Sequence, residues 1–230
     1  ASAILVALGL WVRLSLTETP AFAAALADAP PPKVPLAELL RDHLLPTLAG
    51  MFGVVACFAI FYLATAFALG YGTTTLGYPR ETFLALQLGG ILFMAAGIVI
   101  AGWLSDRFQP RAVLMGGCAA AIVVGFLMAP LMTGGIGPLF LFLALALTVM
   151  GFVYGPLGAW LPSLFPARVR YTGASMAFNV GGILGGAVAP MAAQQLSEWD
   201  GLTPVGLYFS LSGLVSFIAL AMLRWTRRYD

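Results

Sequence analysis

Six long apolar stretches dominate this 230-residue chain and limit the folds that are open to it. A helix needs roughly 20 apolar residues to cross a hydrocarbon core of about 30 Å. These runs lack the short alternating segments of a β-barrel, and six in a row are not a signal peptide. The sequence therefore predicts an all-α membrane protein with a six-transmembrane-helix bundle. We place its spans near 46–70, 82–104, 112–132, 138–162, 172–194 and 204–223.

The composition agrees with a membrane protein. Hydrophobic residues make up 61% of the chain and charged residues only 9%, and the mean hydropathy is +0.97. Soluble globular domains carry about 25% charged residues. The formal net charge of +2 gives no support for nucleic-acid binding.

The basic residues are distributed unevenly between the two membrane sides. If the segment after Val12 is cytoplasmic, six spans leave only Arg80 outside. This asymmetry is the positive-inside pattern, so we expect a multi-pass inner-membrane protein with a cytoplasmic central loop and C-terminus. The other ten lysines and arginines then lie inside: Arg13, Lys33, Arg41, Arg107, Arg111, Arg168, Arg170, Arg224, Arg227 and Arg228.

The segments around the bundle suggest the domain organisation. Residues 1–12 are apolar but too short to span, and we interpret them as the end of an earlier transmembrane helix, which would make the chain a fragment. Residues 13–45 form a cytoplasmic central loop, residues 46–223 the bundle, and residues 224–230 a cytoplasmic tail.

The central loop contains a proline-rich stretch and then a predicted amphipathic helix. Successive prolines make 29–35 extended and stiff. The helix over 36–45 should lie on the membrane surface. Its apolar face would carry Leu36, Leu39, Leu40 and Leu44, and its polar face Glu38, Arg41 and Asp42.

Glycines and one proline mark close packing and a bend. Small residues four apart let membrane helices approach closely. Pro156 should bend the fourth span, because it removes one backbone hydrogen bond. The glycine pairs are Gly151/Gly155, Gly181/Gly185 and Gly182/Gly186.

No enzyme constellation is evident in the sequence. The chain has one histidine, His43, without a serine or cysteine partner set for nucleophilic catalysis. Cys57 and Cys118 both fall inside predicted spans, where thiols behave as small hydrophobes. We therefore expect neither an enzyme nor a bound metal or cofactor.

One charged loop carries a family resemblance. Gly102-Trp-Leu-Ser-Asp-Arg-Phe-Gln-Pro-Arg111 lies between two spans and resembles the loop motif of the major facilitator superfamily. Two further segments, Gly9–Phe22 and Leu161–Gly173, resemble the exit from helix six and the junction of helices ten and eleven in its metabolite:proton symporter branch. That branch includes shikimate, α-ketoglutarate and proline/betaine permeases.

The resemblance implies a fold and a function. The chain would be the C-terminal half of a twelve-helix transporter, and its bundle would be helices seven to twelve. The implied function is secondary active transport of a small organic solute, an organic acid or a zwitterion, by alternating access and with proton symport. The implied partners are the solute, protons, the lipid bilayer and the missing N-terminal half. The alternative is a non-transporting scaffold or subunit, or an inactive half-transporter.

The resemblance also implies a cytoplasmic gate. Two positions depart from the family pattern: Gln109-Pro110 replaces a Gly-Arg pair, and Ser163 stands where a glutamate is usual. These departures put the usual arginine–carboxylate latch in question. The candidate gate residues are Gly102, Asp106, Arg107, Arg111, Arg168 and Arg170.

The predicted spans contain no ionisable residue near the membrane midplane. Proton coupling normally uses a buried carboxylate or histidine, so that group would lie in the missing half. This half offers neutral polar side chains instead. Each could face the solute or could hydrogen-bond a neighbouring helix. The candidate cavity residues are Tyr62, Thr65, Gln87, Tyr154 and Asn179.

Overall fold

The structure, a computed structural model, describes Val6, residues 8–11 and residues 35–222. From residue 35 onwards it contains ten α-helices and two π-helical turns, and no strand occurs in the described residues. The π-helical turn Leu63–Phe67 joins α2 to α3, and Ile183–Ala187 joins α8 to α9. The helices are α1 (Pro35–Asp42), α2 (Leu44–Tyr62), α3 (Ala68–Thr74), α4 (Arg80–Arg107), α5 (Pro110–Thr133), α6 (Ile136–Tyr154), α7 (Leu157–Ser163), α8 (Arg170–Gly182), α9 (Val188–Asp200) and α10 (Leu202–Met222).

These helices form six membrane spans, which confirms the predicted fold class. Each predicted stretch falls on one of them, and five of the six observed spans run past it at both ends. The predictions for 1–12, for 13–34 and for the tail lie wholly or largely outside the described residues. The first to sixth spans are Leu44–Thr74, Arg80–Arg107, Pro110–Thr133, Ile136–Ser163, Arg170–Asp200 and Leu202–Met222.

The spans pack in an order that differs from their order along the chain. The second span packs on the fourth, the fourth on the third, the third on the sixth, the sixth on the first, and the first on the fifth. The first and fourth spans also touch each other. Apolar side chains from all six spans form one continuous core. The second and third spans, although joined by a short hairpin, make few direct contacts.

Glycines set the closest helix crossings. A Cβ atom on Gly151 would lie 2.9 Å from the backbone nitrogen of Ile98, and one on Gly155 would lie 2.9 Å from the backbone oxygen of the same residue. Gly181 and Gly185 face the first span in the same manner. Backbones therefore meet where side chains would hold them apart. The pairs identified in the sequence are packing positions.

A serine of the sixth span enters the backbone ladder of the first. The Ser216 hydroxyl accepts a hydrogen bond from the Ala56 N–H at 2.9 Å and donates one to the Phe52 carbonyl at 2.7 Å. Ala56 and Phe52 are partners in the i to i−4 pattern of a helix, so the hydroxyl bridges them. Similarly, the Ser210 hydroxyl donates to the Ile122 carbonyl of the third span at 2.8 Å. Neither contact has a signature in the sequence.

The α-helix of the fourth span is interrupted at Pro156. Helix α6 ends at Tyr154 and α7 begins at Leu157, with Pro156 between them. The Gly155 N–H still donates to the Gly151 carbonyl at 2.9 Å, whereas proline has no N–H with which to continue the ladder. The α-helix is therefore interrupted at the position where the sequence predicted a bend.

Helix α1 lies where a helix over 36–45 was predicted, but it ends at Asp42, and Leu44 already belongs to α2. Leu39 is fully buried against Phe165 and Val169, in the link between the fourth and fifth spans. Leu36 and Leu40 are exposed. Leu39 therefore anchors α1 to the bundle.

Candidate functional site

Gln87 connects the second span to the π-helical turn of the first. Its side chain is buried, and its Nε2 donates to the Ala64 carbonyl at 3.1 Å and to the Thr65 carbonyl at 2.8 Å. Both partners are acceptors, so the amide nitrogen must face them and Oε1 points away as a spare acceptor. A π-helical turn disturbs the regular backbone pairing, and such turns are frequent at functional sites. The glutamine satisfies carbonyls at that turn.

Tyr62 and Thr65 lie at the same turn with different roles. The Thr65 hydroxyl donates to the Phe61 carbonyl at 2.6 Å, within its own helix. The Tyr62 ring is 37% exposed and packs so closely on Gly186 that a Cβ there would lie 2.7 Å from it. Among the described residues, none bonds to the Tyr62 hydroxyl, which therefore remains available to a ligand.

Asn179 lies on the fifth span, on one helical stripe with Ser175, Gly182 and Gly186. Its Nδ2 donates to the Ser175 carbonyl at 2.8 Å and lies 3.4 Å from the Ser175 hydroxyl. Further along the stripe, a Cβ on Gly182 would lie 3.2 Å from the Phe58 ring of the first span. The Asn179 side chain is exposed, and its Oδ1 is left as an acceptor.

Tyr154 stands apart from the other candidates. It is the last residue of α6, directly before the proline break, and it is 43% exposed. In the described part of the chain, it makes no hydrogen bond or ring contact with the other four. The structure thus joins Tyr62, Thr65 and Gln87 at the first span, and brings the stripe of Asn179 against the same span.

The cavity candidates combine helix packing with free acceptors. The amide nitrogens of Gln87 and Asn179 bond to backbone, which is the structural role left open by the sequence. Their oxygens and the two phenol hydroxyls are the atoms left for a solute. Between the end turns of the six spans lies no aspartate, glutamate, lysine, arginine or histidine. Among the described residues no cluster could hold a metal.

Two of the gate residues end the second span on its exposed side. Asp106 and Arg107 are both exposed, and the Arg107 guanidinium carbon lies 4.2 Å from the centroid of the Trp103 ring. A Cβ on Gly102 would meet nothing within 4 Å. This corner is therefore open to an approaching element. We call the end of the bundle that carries Arg107, Arg111, Arg168 and Arg170 the arginine end.

Arg111 has a structural partner inside this half. Its Nε donates to the Leu220 carbonyl at 2.7 Å, and its Nη2 donates to the Ala221 carbonyl at 3.1 Å. These carbonyls lie in the last described turn of the sixth span. Arg111 therefore ties the start of the third span to the sixth.

A carboxylate reaches Arg168 from an unexpected place. Glu38 of α1, assigned to the polar face from the sequence, is turned towards the bundle, and its Oε2 lies 2.7 Å from Arg168 Nη2. Its neighbour Leu39 is buried against the same link between the fourth and fifth spans. Ser163, where the family carries an acid, donates instead to the Trp160 carbonyl at 2.6 Å. Arg170 donates to the Phe165 carbonyl at 3.1 Å.

Comparisons with known proteins agree with this architecture. The sequence profile of the Major Facilitator Superfamily matches residues 1–190. The inner membrane metabolite transport protein YhjE of Escherichia coli K12 is 38% identical over 98% of this chain and 53% of its own length. No solved structure matches the chain significantly.

Other relatives are more distant transporters. The shikimate transporter of Escherichia coli K12 is 28% identical over 99% of this chain and 53% of its own length. The proline/betaine transporter of Salmonella typhimurium is 25% identical over 92% of this chain and 44% of its own length. The chain spans about half the length of the curated relatives it matches. With six spans, the gate loop and a profile match over most of its length, this chain belongs to the major facilitator superfamily.

Proposed function

We propose that this chain forms one half of a secondary active transporter that moves a small organic solute across the inner membrane. The observation that carries the proposal is the uncharged polar surface beside the π-helical turn Leu63–Phe67, in a chain of this superfamily. Relatives named for metabolite, shikimate and proline/betaine transport support an organic acid or a zwitterion as the solute.

In this mechanism the half works against a preceding six-helix half. The two halves rock about a central site and expose it alternately to the two membrane faces. The oxygens of Gln87 and Asn179 and the Tyr62 hydroxyl accept hydrogen bonds from the solute. The protonatable group for symport is supplied by the other half, because these spans carry no ionisable interior group.

The arginine end is the proposed cytoplasmic gate. Asp106 is exposed, so it is available to contact the other half. Arg168 is paired with Glu38, which ties the linker helix α1 to the junction of the fourth and fifth spans. The linker therefore moves with this half, and Glu38 takes the place of the acid missing at Ser163.

Asn179→Ala tests the proposed cavity. In the full-length transporter that contains this chain, we expect a higher apparent KM for the transported solute and normal membrane insertion. Loss of one neutral hydrogen bond costs about 0.5–1.5 kcal/mol, which is about a two- to twelvefold rise in KM. Uptake kinetics in proteoliposomes measure the apparent KM of the variant and of the wild type.

The matched control is Gln194→Ala, an exposed amide near the opposite end of the same span. It should leave KM unchanged. If Asn179→Ala lowers the melting temperature while KM stays at the wild-type value, Asn179 is a packing residue and leaves the site. A protein that inserts but takes up none of the relatives' solutes would favour the scaffold alternative.

Cysteine labelling tests the orientation. With Cys57 and Cys118 replaced, Gln109→Cys at the arginine end should resist a membrane-impermeant thiol reagent in intact cells, whereas Asp200→Cys should react. Both positions are exposed, so access to the reagent decides the result. The reason is the positive-inside rule, since the arginine end carries most of the basic side chains. The reverse labelling pattern would invert the topology.

A further inference from the structure

A cleft of about 440 Å³ opens between the second and third spans near the arginine end. Its walls come from the ends of these two spans and its floor from the fourth. Its volume falls within the range of small-molecule sites, about 300–1,000 Å³. The lining includes Leu104, Phe108, Val113, Gly116, Ala120 and Phe152.

The cleft results from the way the three spans pack. Gly97 brings the second span onto the fourth, because a Cβ there would lie 2.6 Å from the Thr148 backbone oxygen. Gly117 brings the third span onto the fourth, at 2.9 Å from a Val153 methyl carbon. The two outer spans are held by the same floor and barely touch each other, so a wedge stays open between them.

The lining excludes a polar solute. Thr148 carries the one hydroxyl in it, and that hydroxyl already donates to the Ala144 carbonyl at 2.7 Å. The other lining side chains are apolar or glycine. A polar guest would lose its hydrogen bonds to water and gain none here. An alkyl chain gives up no hydrogen bonds on entering, so the lining favours a hydrocarbon.

The mouth of the cleft has the chemistry of a membrane interface. Phe108 lines the cleft and is 60% exposed, and Trp103 is 52% exposed. Tryptophan rings gather at the level of the lipid headgroups. Arg107 is exposed beside them, over the Trp103 ring, whereas Arg111 is bonded to carbonyls. The charge of Arg111 offsets that of Asp106, so Arg107 leaves the hairpin with a net positive charge.

We propose that this cleft binds one anionic phospholipid, with an acyl chain between the second and third spans and the phosphate at Arg107. Charge complementarity selects the headgroup, since a cation near the membrane surface attracts anionic lipid. The apolar walls of the cleft select the acyl chain of the lipid. The site is separate from the proposed solute cavity, whose residues face the first and fifth spans.

Lipid titration of the detergent-purified full-length protein tests the proposal. Melting temperature is followed as dioleoyl phosphatidylglycerol, dioleoyl phosphatidylcholine or inorganic phosphate is added. We expect both lipids to raise it and phosphate to leave it unchanged. Phosphatidylglycerol should bind about fivefold more tightly than phosphatidylcholine, because one arginine near an anionic lipid raises the affinity by about that factor.

Two variants distinguish binding of the acyl chain from recognition of the headgroup. A Cβ on Gly116 would point into open space, so Gly116→Leu fills the cleft and should abolish the rise with both lipids. Gly70→Leu is the matched control, because Gly70 is also helical with open space around it, and should behave as wild type. Arg107→Gln should remove the preference for phosphatidylglycerol but keep binding of both lipids.

Three results would overturn the proposal. Gly116→Leu could keep the full lipid-dependent rise, or Arg107→Gln could keep the fivefold preference. A wild-type protein that shows no rise with either lipid would mean that the other half covers the cleft. Arg107 is exposed, so its replacement is compatible with folding and keeps the headgroup test valid if Gly116→Leu fails to fold.

Discussion

Gly151→Ala is expected to lower the free energy of unfolding of the full-length protein by about 1–3 kcal/mol, the usual cost of overpacking a tight interface. The added Cβ would meet backbone atoms of the second span, including the Ile98 nitrogen at 2.9 Å. Backbone cannot rotate away as a side chain can, so the second and fourth spans must separate. Thermal melting in detergent measures the loss.

Gly158→Ala is the matched control on the same span. A Cβ there meets nothing within 4 Å, so the substitution adds no clash. It reduces the conformational freedom of the unfolded chain and should be neutral or stabilising by about 0.4–1 kcal/mol. Equal melting temperatures for the two variants would show that the second and fourth spans do not cross closely at Gly151.

Gln87→Leu is expected to reduce both stability and uptake. The substitution removes the hydrogen bonds that the Ala64 and Thr65 carbonyls accept from Gln87, although the Thr65 carbonyl also accepts from the Ala68 N–H. Each lost hydrogen bond costs about 0.5–1.5 kcal/mol. Because these carbonyls belong to the π-helical turn that positions Tyr62, we expect a higher KM for the solute as well. Melting and uptake kinetics on the same preparation measure the two effects.

Gln194→Leu is the control for this change. Gln194 is exposed, and its Nε2 makes a single long contact of 3.5 Å to Glu198. Both its melting temperature and its KM should match the wild type. If Gln87→Leu melts lower but keeps a normal KM, the glutamine is a packing residue and the π-helical turn does not shape the solute site.

The sequence alone determined the membrane architecture. Spans are set by local composition, because any helix of about 20 apolar residues must leave water whatever its neighbours are. The break at Pro156 was predictable for a similar reason, since a missing N–H acts within its own helix. The glycine pairs were recognisable by spacing, although the helices they face were not.

Only the tertiary structure decided the contacts between segments far apart in the chain. Glu38 meets Arg168 across 130 residues, and Arg111 meets Leu220 across 109. The spacing of polar residues in α1 placed Glu38 on a polar face but could not name its partner, because Arg168 comes from another part of the chain.

The candidate site shows the same division. Residue type and depth were enough to choose Gln87 and Asn179, because polar side chains in an apolar span must find partners. Which atoms bond to backbone and which stay free depends on the π-helical turns, which have no sequence signature here. The cleft between the second and third spans exists because these two spans make few contacts with each other. Such a gap depends on how three helices pack together, so composition or spacing in one helix cannot reveal it.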